Sequence, residues 1–285
     1  MLILSVIGFI AQLIDGSLGM AYGVTSTTML LYFGLSPAVA STSVHLSEVV
    51  TSAAAGISHS KFGNVNWRIV IKLGIPGSIG AFLGAVFLSH LPGHLARPYI
   101  SMFLLLLGFY IFLRFLFLWK PDIKRNHFTI SNKKSIFLGF LAGFTDATGG
   151  GGWGAITTPA LLAQKGTNPS KVIGTVIASE FTVALSATLG FLISLGWTDV
   201  NWLWVLALMA GGIVASPIAA WFVKVVRPNI LGIFVGGLLI FTNFHPFVNL
   251  FSINKEKEYL FYFVFLLSWI FSIVWSVKKG RVSNN

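Results

Sequence analysis

The sequence predicts an all-α, polytopic membrane protein. It is expected to hold two inverted four-segment repeats, each starting with a broken, re-entrant helix, plus one C-terminal helix. Three observations lead there. The 285 residues are 55% hydrophobic and only 9% charged, against about 25% charged in a soluble domain. Four consecutive glycines, Gly149 to Gly152, interrupt a long apolar segment in the stretch TDATGGGGWGAITTP, 145–159. Finally, landmarks of the first half of the chain recur in the second half in the same order.

Eighteen or more apolar residues with few charges nominate a transmembrane helix. Such segments fall at 1–33, 37–60, 67–90, 98–118, 135–164, 170–195, 201–223, 229–250 and 259–277, and they leave no soluble domain of any size. The net charge of +11 could suggest a nucleic-acid partner. The basic residues lie instead in short loops between apolar runs, so no nucleic acid is expected. With no cysteine, disulfides, thiol catalysis and cysteine metal sites are excluded. MLILSVIGFIAQLID at the N-terminus lacks a basic n-region and a small-residue cleavage site, so it does not read as a cleaved signal peptide.

In order along the chain, turn chemistry separates the segments at Ser36-Pro37, at Lys61 to Asn64, at Pro92-Gly93 and at Asn168-Pro169. The longest polar stretch, 120–134, is read as a cytoplasmic linker. It divides a first membrane repeat, 1–119, from a second, 135–250, with the extra helix at 258–278. GFIAQLID, ending at Asp15, matches GFLAGFTD, ending at Asp146. Ser36-Pro37 matches Asn168-Pro169, and Ser47-Glu48 matches Ser179-Glu180. Val65-Asn66-Trp67 then matches Val200-Asn201-Trp202, and Arg97-Pro98 matches Arg227-Pro228. Internal symmetry of this kind marks many secondary transporters.

Lysine and arginine counts test the orientation. If all nine segments cross, the nineteen basic residues divide eleven to eight, which is no bias. If segments 1 and 5 enter halfway, turn at the glycine-rich break and leave on the same side, they divide sixteen to three, with only Arg97, Lys255 and Lys257 on the poor side. That pattern predicts half-helices of about 11–14 residues, each reaching roughly half of a ~30 Å hydrocarbon core. It gives seven full crossings, an outside N-terminus and a cytoplasmic C-terminus. Three crossings per repeat is an odd number, so the repeats are inverted.

Of the eight acidic residues, Asp122, Asp199, Glu256 and Glu258 fall in loops or at interfaces. The other four, Asp15, Glu48, Asp146 and Glu180, lie inside apolar segments as two repeat-matched pairs. A carboxylate at the bilayer centre costs roughly 2.5–3.5 kcal/mol, so such groups point to function. The aspartates precede the breaks, where they can cap freed N–H groups or carry a proton. The glutamates lie in unbroken helices, and proton transfer is the favoured role there. His45, one turn before Glu48, could extend the relay, although its counterpart is Ile177.

At each break the second half-helix starts with unpaired N–H groups and about half a positive charge, a ready anion site. Candidate substrate-binding residues are Ser17, Gly19 and Gly23 in the first repeat. In the second they are Thr148, Gly149, Gly150, Gly151, Gly152, Gly154 and Thr157. The same carbonyls and acids could instead hold a cation, so the sign of the ligand stays open. Gly80-x-x-x-Gly84 and Gly232-x-x-x-Gly236 read as close helix packing more than as a dimer face, which leaves a homodimer open. His90 and His94 have ligand-like spacing, but Pro92-Gly93 breaks the helix it would need, so no metal site is expected. Nucleophile-elbow, P-loop and HExxH motifs are missing, so neither an enzyme, a cofactor nor an ATP-driven pump is expected.

The duplicated plan, with Gly139-x-x-x-Gly143 followed by GGGGWGAITTP, resembles the sulfite/sulfonate exporter family named after TauE and SafE, over about 1–245. The first repeat departs from that pattern. It reads DGSLGMAYGVTSTT, with Met20 and Ala21 inside the glycine run and Thr28 in the proline's place. The resemblance implies a multi-pass protein of the bacterial cytoplasmic membrane that moves a small anion such as sulfite or an organosulfonate. The reading is a proton-coupled secondary transporter, in export more than import. Its partners are the anion, protons and the lipid bilayer, and Asp15, His45, Glu48, Asp146 and Glu180 couple the proton. The alternative is a passive channel or a cation carrier with the acids as ligands.

Overall fold

The structure is a computed structural model, and it describes residues 2–118, 130–162, 168–197, 200–222, 228–250 and 254–282. Within them the chain is all-α: a multi-pass membrane protein with five helices long and apolar enough to cross a bilayer. Those stretches are Trp67–His90, Gly93–Phe117, Pro169–Leu195, Trp202–Phe222 and Lys255–Lys278. Most of the 120–134 linker, together with Asp122 and Asp199, lies outside the described residues.

The chain forms two compact units. The first, Met1–Ala96 with Pro121–Val226, contains α1 (Leu2–Leu18), α2 (Tyr22–Tyr32), α3 (Pro37–Lys61), α4 (Trp67–His90), α6 (Asn132–Gly149), α7 (Trp153–Leu162), α8 (Pro169–Leu195) and α9 (Trp202–Phe222). Helix starts follow local chemistry. Pro37 and Pro169 occupy first-turn positions, where a missing N–H costs nothing. The Asn168 side chain accepts from the Ser170 N–H at 3.0 Å. Gly196 ends α8 with φ of 81°.

Glycines let the helices of this unit approach backbone to backbone. Gly139 and Gly143 of α6 lie against Leu73 and Gly77 of α4, and Gly84 of α4 lies against Phe144 of α6, so α4 and α6 run parallel. Gly80-x-x-x-Gly84 is thus an internal packing face, as its spacing suggested. Gly8 against Leu208 and Gly16 against Ala219 make α1 and α9 parallel as well. Helix α3 runs with α9, since Leu46 packs on Val205 and Ser216 donates to the Thr51 carbonyl at 3.2 Å. It runs against α8: the His45 ring stacks on Phe191, Gly56 lies on Ala178, and the Asn66 N–H reaches the Thr175 hydroxyl.

Helix α3 is 25 residues long yet poor in hydropathy, because Ser41, Thr42, Ser43, His45, Ser47, Glu48, Thr51 and Ser52 are all buried along it. Such a helix survives only inside protein, where neighbouring backbone satisfies its polar groups. Segments 1 and 5 break as expected, but off centre. Their pieces are 17 and 11 residues in one case and 18 and 10 in the other, rather than two equal halves of 11–14. The reason is local: α1 and α6 continue past Asp15 and Asp146 until the left-handed glycines, Gly19 and Gly150, stop them.

The second unit, Arg97–Lys120 with Arg227–Asn285, holds most of α5 (Gly93–Leu113), a π-helical turn (Arg114–Leu118), α10 (Pro228–Leu250) and α11 (Lys255–Val282). Gly232 and Gly236 admit Phe115 and Phe112, so this glycine pair too is a packing face. The Trp269 indole donates to the Ile233 carbonyl at 3.1 Å, and Phe244 stacks on Phe261. Glu258, in the first turn of α11, is buried, with its carboxylate 2.6 Å from His245.

Candidate functional site

The two breaks are built alike. Gly19 and Gly150 adopt left-handed conformations, φ of 66° and 68°, which an L side chain seldom tolerates. Each turn is then closed by the acid before it. Asp146 accepts from the Trp153 N–H at 2.8 Å, and Asp15 accepts from the Tyr22 N–H at a longer 3.5 Å. The aspartates therefore cap the second helix of each break, and a carboxyl group already sits at the N–H ends expected to attract an anion. Ala21 is the exception in conformation, with φ of 125° where the second break has Gly151 and Gly152. It is strained in a way that its glycine counterparts are not.

The breaks pass each other in contact. The Gly23 backbone lies on Gly151, and Gly154 lies on Gly19 and Met20, with no room for a Cβ at any of these crossings. Two hydroxyls then tie one break to the other. Thr27 donates to the Gly150 carbonyl, and Thr158 donates to the Gly19 carbonyl at 2.5 Å. Each residue of the first bond has its counterpart 131 positions away in the second.

The chain reverses direction at each break. Gly16 lies level with His59 near the end of α3, where the imidazole Nε2 meets its carbonyl at 3.1 Å. Further on, the Tyr22 hydroxyl meets Ser47 at 2.9 Å, so α2 runs back along α3 while α1 runs with it. In the second break the Trp153 indole donates to the Val176 carbonyl of α8 at 3.2 Å.

Around this crossing stand the four intramembrane acids. Asp15, Glu48 and Asp146 are 2% exposed and Glu180 6%, and all four lie within electrostatic range of one another. Glu48 Oε1 faces the Gly23 backbone. His45 Nδ1 lies 2.8 Å from Glu48 Oε2 and 3.8 Å from Asp146 Oδ2. The first of these is an ion-pair contact, whereas Nε2 and Asp146 Oδ2 have no hydrogen-bond partner. Among the described residues no lysine or arginine pairs with any of these carboxyls. Four buried acids with one histidine form a site short of positive charge.

The structure thus gathers Gly19, Gly23, Gly150, Gly151, Gly154 and all five titratable candidates at one place. Ser17, Thr148 and Thr157 are placed differently, since each hydroxyl donates within its own helix, to Leu13, Phe144 and Trp153 respectively. Gly149 ends α6, and Gly152 has ordinary spacing to Asp146. Sequence reasoning missed Thr27 and His59, and it placed Thr158 beside the second break without its partner in the first. It also missed Gln12, Thr25, Ser26 and Thr51, whose side chains are buried with unsatisfied polar atoms. The run Thr25 to Thr28 after the first break was the available signal, because polar residues that cluster beside freed backbone have a reason to be there.

Comparison with known proteins points to membrane transporters. A family profile described as "Sulfite exporter TauE/SafE" matches residues 4–245. The chain is 58% identical over 279 residues, 98% of its length and 93% of the relative's, to a protein of Bacillus subtilis (strain 168) named "Probable membrane transporter protein YtnM". It is 25% identical over 199 residues, 70% of its length and 79% of the relative's, to a second protein of that organism, "Probable membrane transporter protein YdhB". No solved structure matches.

Proposed function

The chain belongs to the sulfite exporter TauE/SafE family, and on that premise we propose that it is a proton-coupled secondary transporter of a small anion such as sulfite or an organosulfonate, acting in export. The observation that carries this reading is the crossing of two glycine-rich breaks among four buried carboxyls. An oxyanion beside ionised carboxylates would be repelled in a low-dielectric site. It can dwell there only when positive charge arrives with it, and protonation of the acids supplies that charge. Coupling then follows from electrostatics. Glu180 and Asp15, the pair without a histidine, are the principal proton carriers.

The helix directions support two inverted repeats. α3 runs against α8, and α1 and α2 form a hairpin that leaves on the side where α3 begins. With sixteen of nineteen basic residues on one side, the first hairpin opens outward, the second opens inward and the C-terminus is cytoplasmic. The test has two arms. Sulfite and small sulfonates should raise the melting temperature of the purified protein, since a ligand of the folded state stabilises it. In proteoliposomes Glu180→Gln should lose pH-gradient-driven flux while the protein stays folded. Undiminished proton-driven flux in that variant would remove Glu180 from the mechanism.

A further inference from the structure

We propose that His45, Glu48 and Asp146 form a binding site for a divalent transition-metal cation of the zinc, cobalt or manganese class. Their ligand atoms, one from each residue, lie within 4.8 Å of one another. His45 and Glu48 come from one face of α3, and Asp146 comes from the end of α6 in the other half of the chain. In a four-coordinate zinc shell with bonds of about 2.0–2.2 Å, neighbouring ligand atoms stand roughly 3.4 Å apart. The observed 2.8 and 3.8 Å from Nδ1 to the two carboxylate oxygens bracket that spacing.

The second observation is that this histidine is fully buried with no hydrogen-bond partner at Nε2, and that Asp146 Oδ2 is unsatisfied beside its Nδ1 contact with Glu48. Buried polar atoms left this way are rare in native structures, and here they fall in the cluster of three potential ligands. Each ligand is oriented through its remaining surroundings. The Trp153 N–H holds Asp146 by its other oxygen, Oδ1, the Gly23 backbone faces Glu48 Oε1, and Phe191 stacks on the imidazole. Outer contacts of this kind are what fix ligand geometry at metal centres. One imidazole and two carboxylates suit borderline and hard divalent ions, not the soft ions that select sulfur. The cation supplies the charge that two carboxylates lack. Position 177, matched to His45 in the second half of the sequence, holds isoleucine, which cannot ligate.

The test uses the full-length protein in detergent and needs no anion, so its failure is distinct from failure of the transport reading. Calorimetric titration with Zn²⁺ should show one saturable ion per chain. Co²⁺ should give a visible absorption spectrum. Both signals should be lost in Glu48→Gln and Asp146→Asn and kept in Glu180→Gln. Because the chain has no cysteine, H45C adds a second readout that does not depend on losing a ligand. Its Co²⁺ complex should show a thiolate charge-transfer band, and Zn²⁺ should protect its thiol from alkylation. Non-saturable binding, binding unchanged in Glu48→Gln and Asp146→Asn, or unprotected alkylation in H45C would each overturn the site.

Discussion

Gly23 of the first break lies directly against Gly151 of the second, so close that a Cβ on Gly23 would stand 2.7 Å from the Gly151 Cα. Two helix breaks that meet by their backbones leave no tolerance for a side chain on the facing surfaces. That single contact explains why glycine is needed at some positions of the run and not at others.

Gly151→Ala should therefore destabilise the protein by about 1–3 kcal/mol, the cost of overpacking, with added strain because φ at Gly151 is 142°. Gly152→Ala, whose Cβ would meet only ordinary contacts at 3.6 Å, should be nearly silent. Thermal unfolding of both variants in detergent decides this. Equal melting temperatures would mean that the crossing is looser than it stands here.

Ala21→Gly should stabilise the protein by about 1 kcal/mol, because φ of 125° is a conformation that only glycine adopts without strain. An unchanged or lower melting temperature would show that the first turn relaxes to another conformation.

Replacing Thr27 or Thr158 by valine keeps the volume and removes the hydroxyl that ties one break to the other. Each change should cost about 0.5–1.5 kcal/mol, plus the penalty of leaving a buried carbonyl unpaired. The double variant, compared with the single ones by unfolding, should show coupling between the two bonds. Simple additivity would mean that they hold independent contacts.

The two caps should differ. Asp146→Ala removes an acceptor at 2.8 Å from the Trp153 N–H and should cost about 1–2 kcal/mol. Asp15→Ala removes one at 3.5 Å from the Tyr22 N–H, so the part of its cost that comes from the cap should be smaller. Asparagine at either position keeps an acceptor oxygen and should retain most of the stability.

Orientation can be read with single cysteines, since the chain has none of its own. Ser36→Cys should react with an impermeant maleimide from outside intact cells, and Lys61→Cys only after permeabilisation. The reverse result would invert the assignment.

Residue types alone made the membrane class and the two breaks legible. A chain with so few charges has no choice but to bury its apolar surface in lipid, and glycine runs stop helices wherever they occur. The paired acids stood out because ionisable groups are costly in such a setting. Other features depended on distance in space. Nothing in the sequence says that Thr27 reaches Gly150, since both tertiary partners and local carbonyls can satisfy a hydroxyl; Ser17 and Thr157 chose the local ones. Nor could it say that Asp146 meets His45. The three-ligand cluster joins residues a hundred positions apart, and only the packing of α6 beside α3 brings them together. Composition and periodicity determine which groups must leave water and where the helices break. The tertiary structure decides which buried groups face one another, because that is set by the close approach of backbones at glycine, a relationship between chain segments that no local pattern encodes.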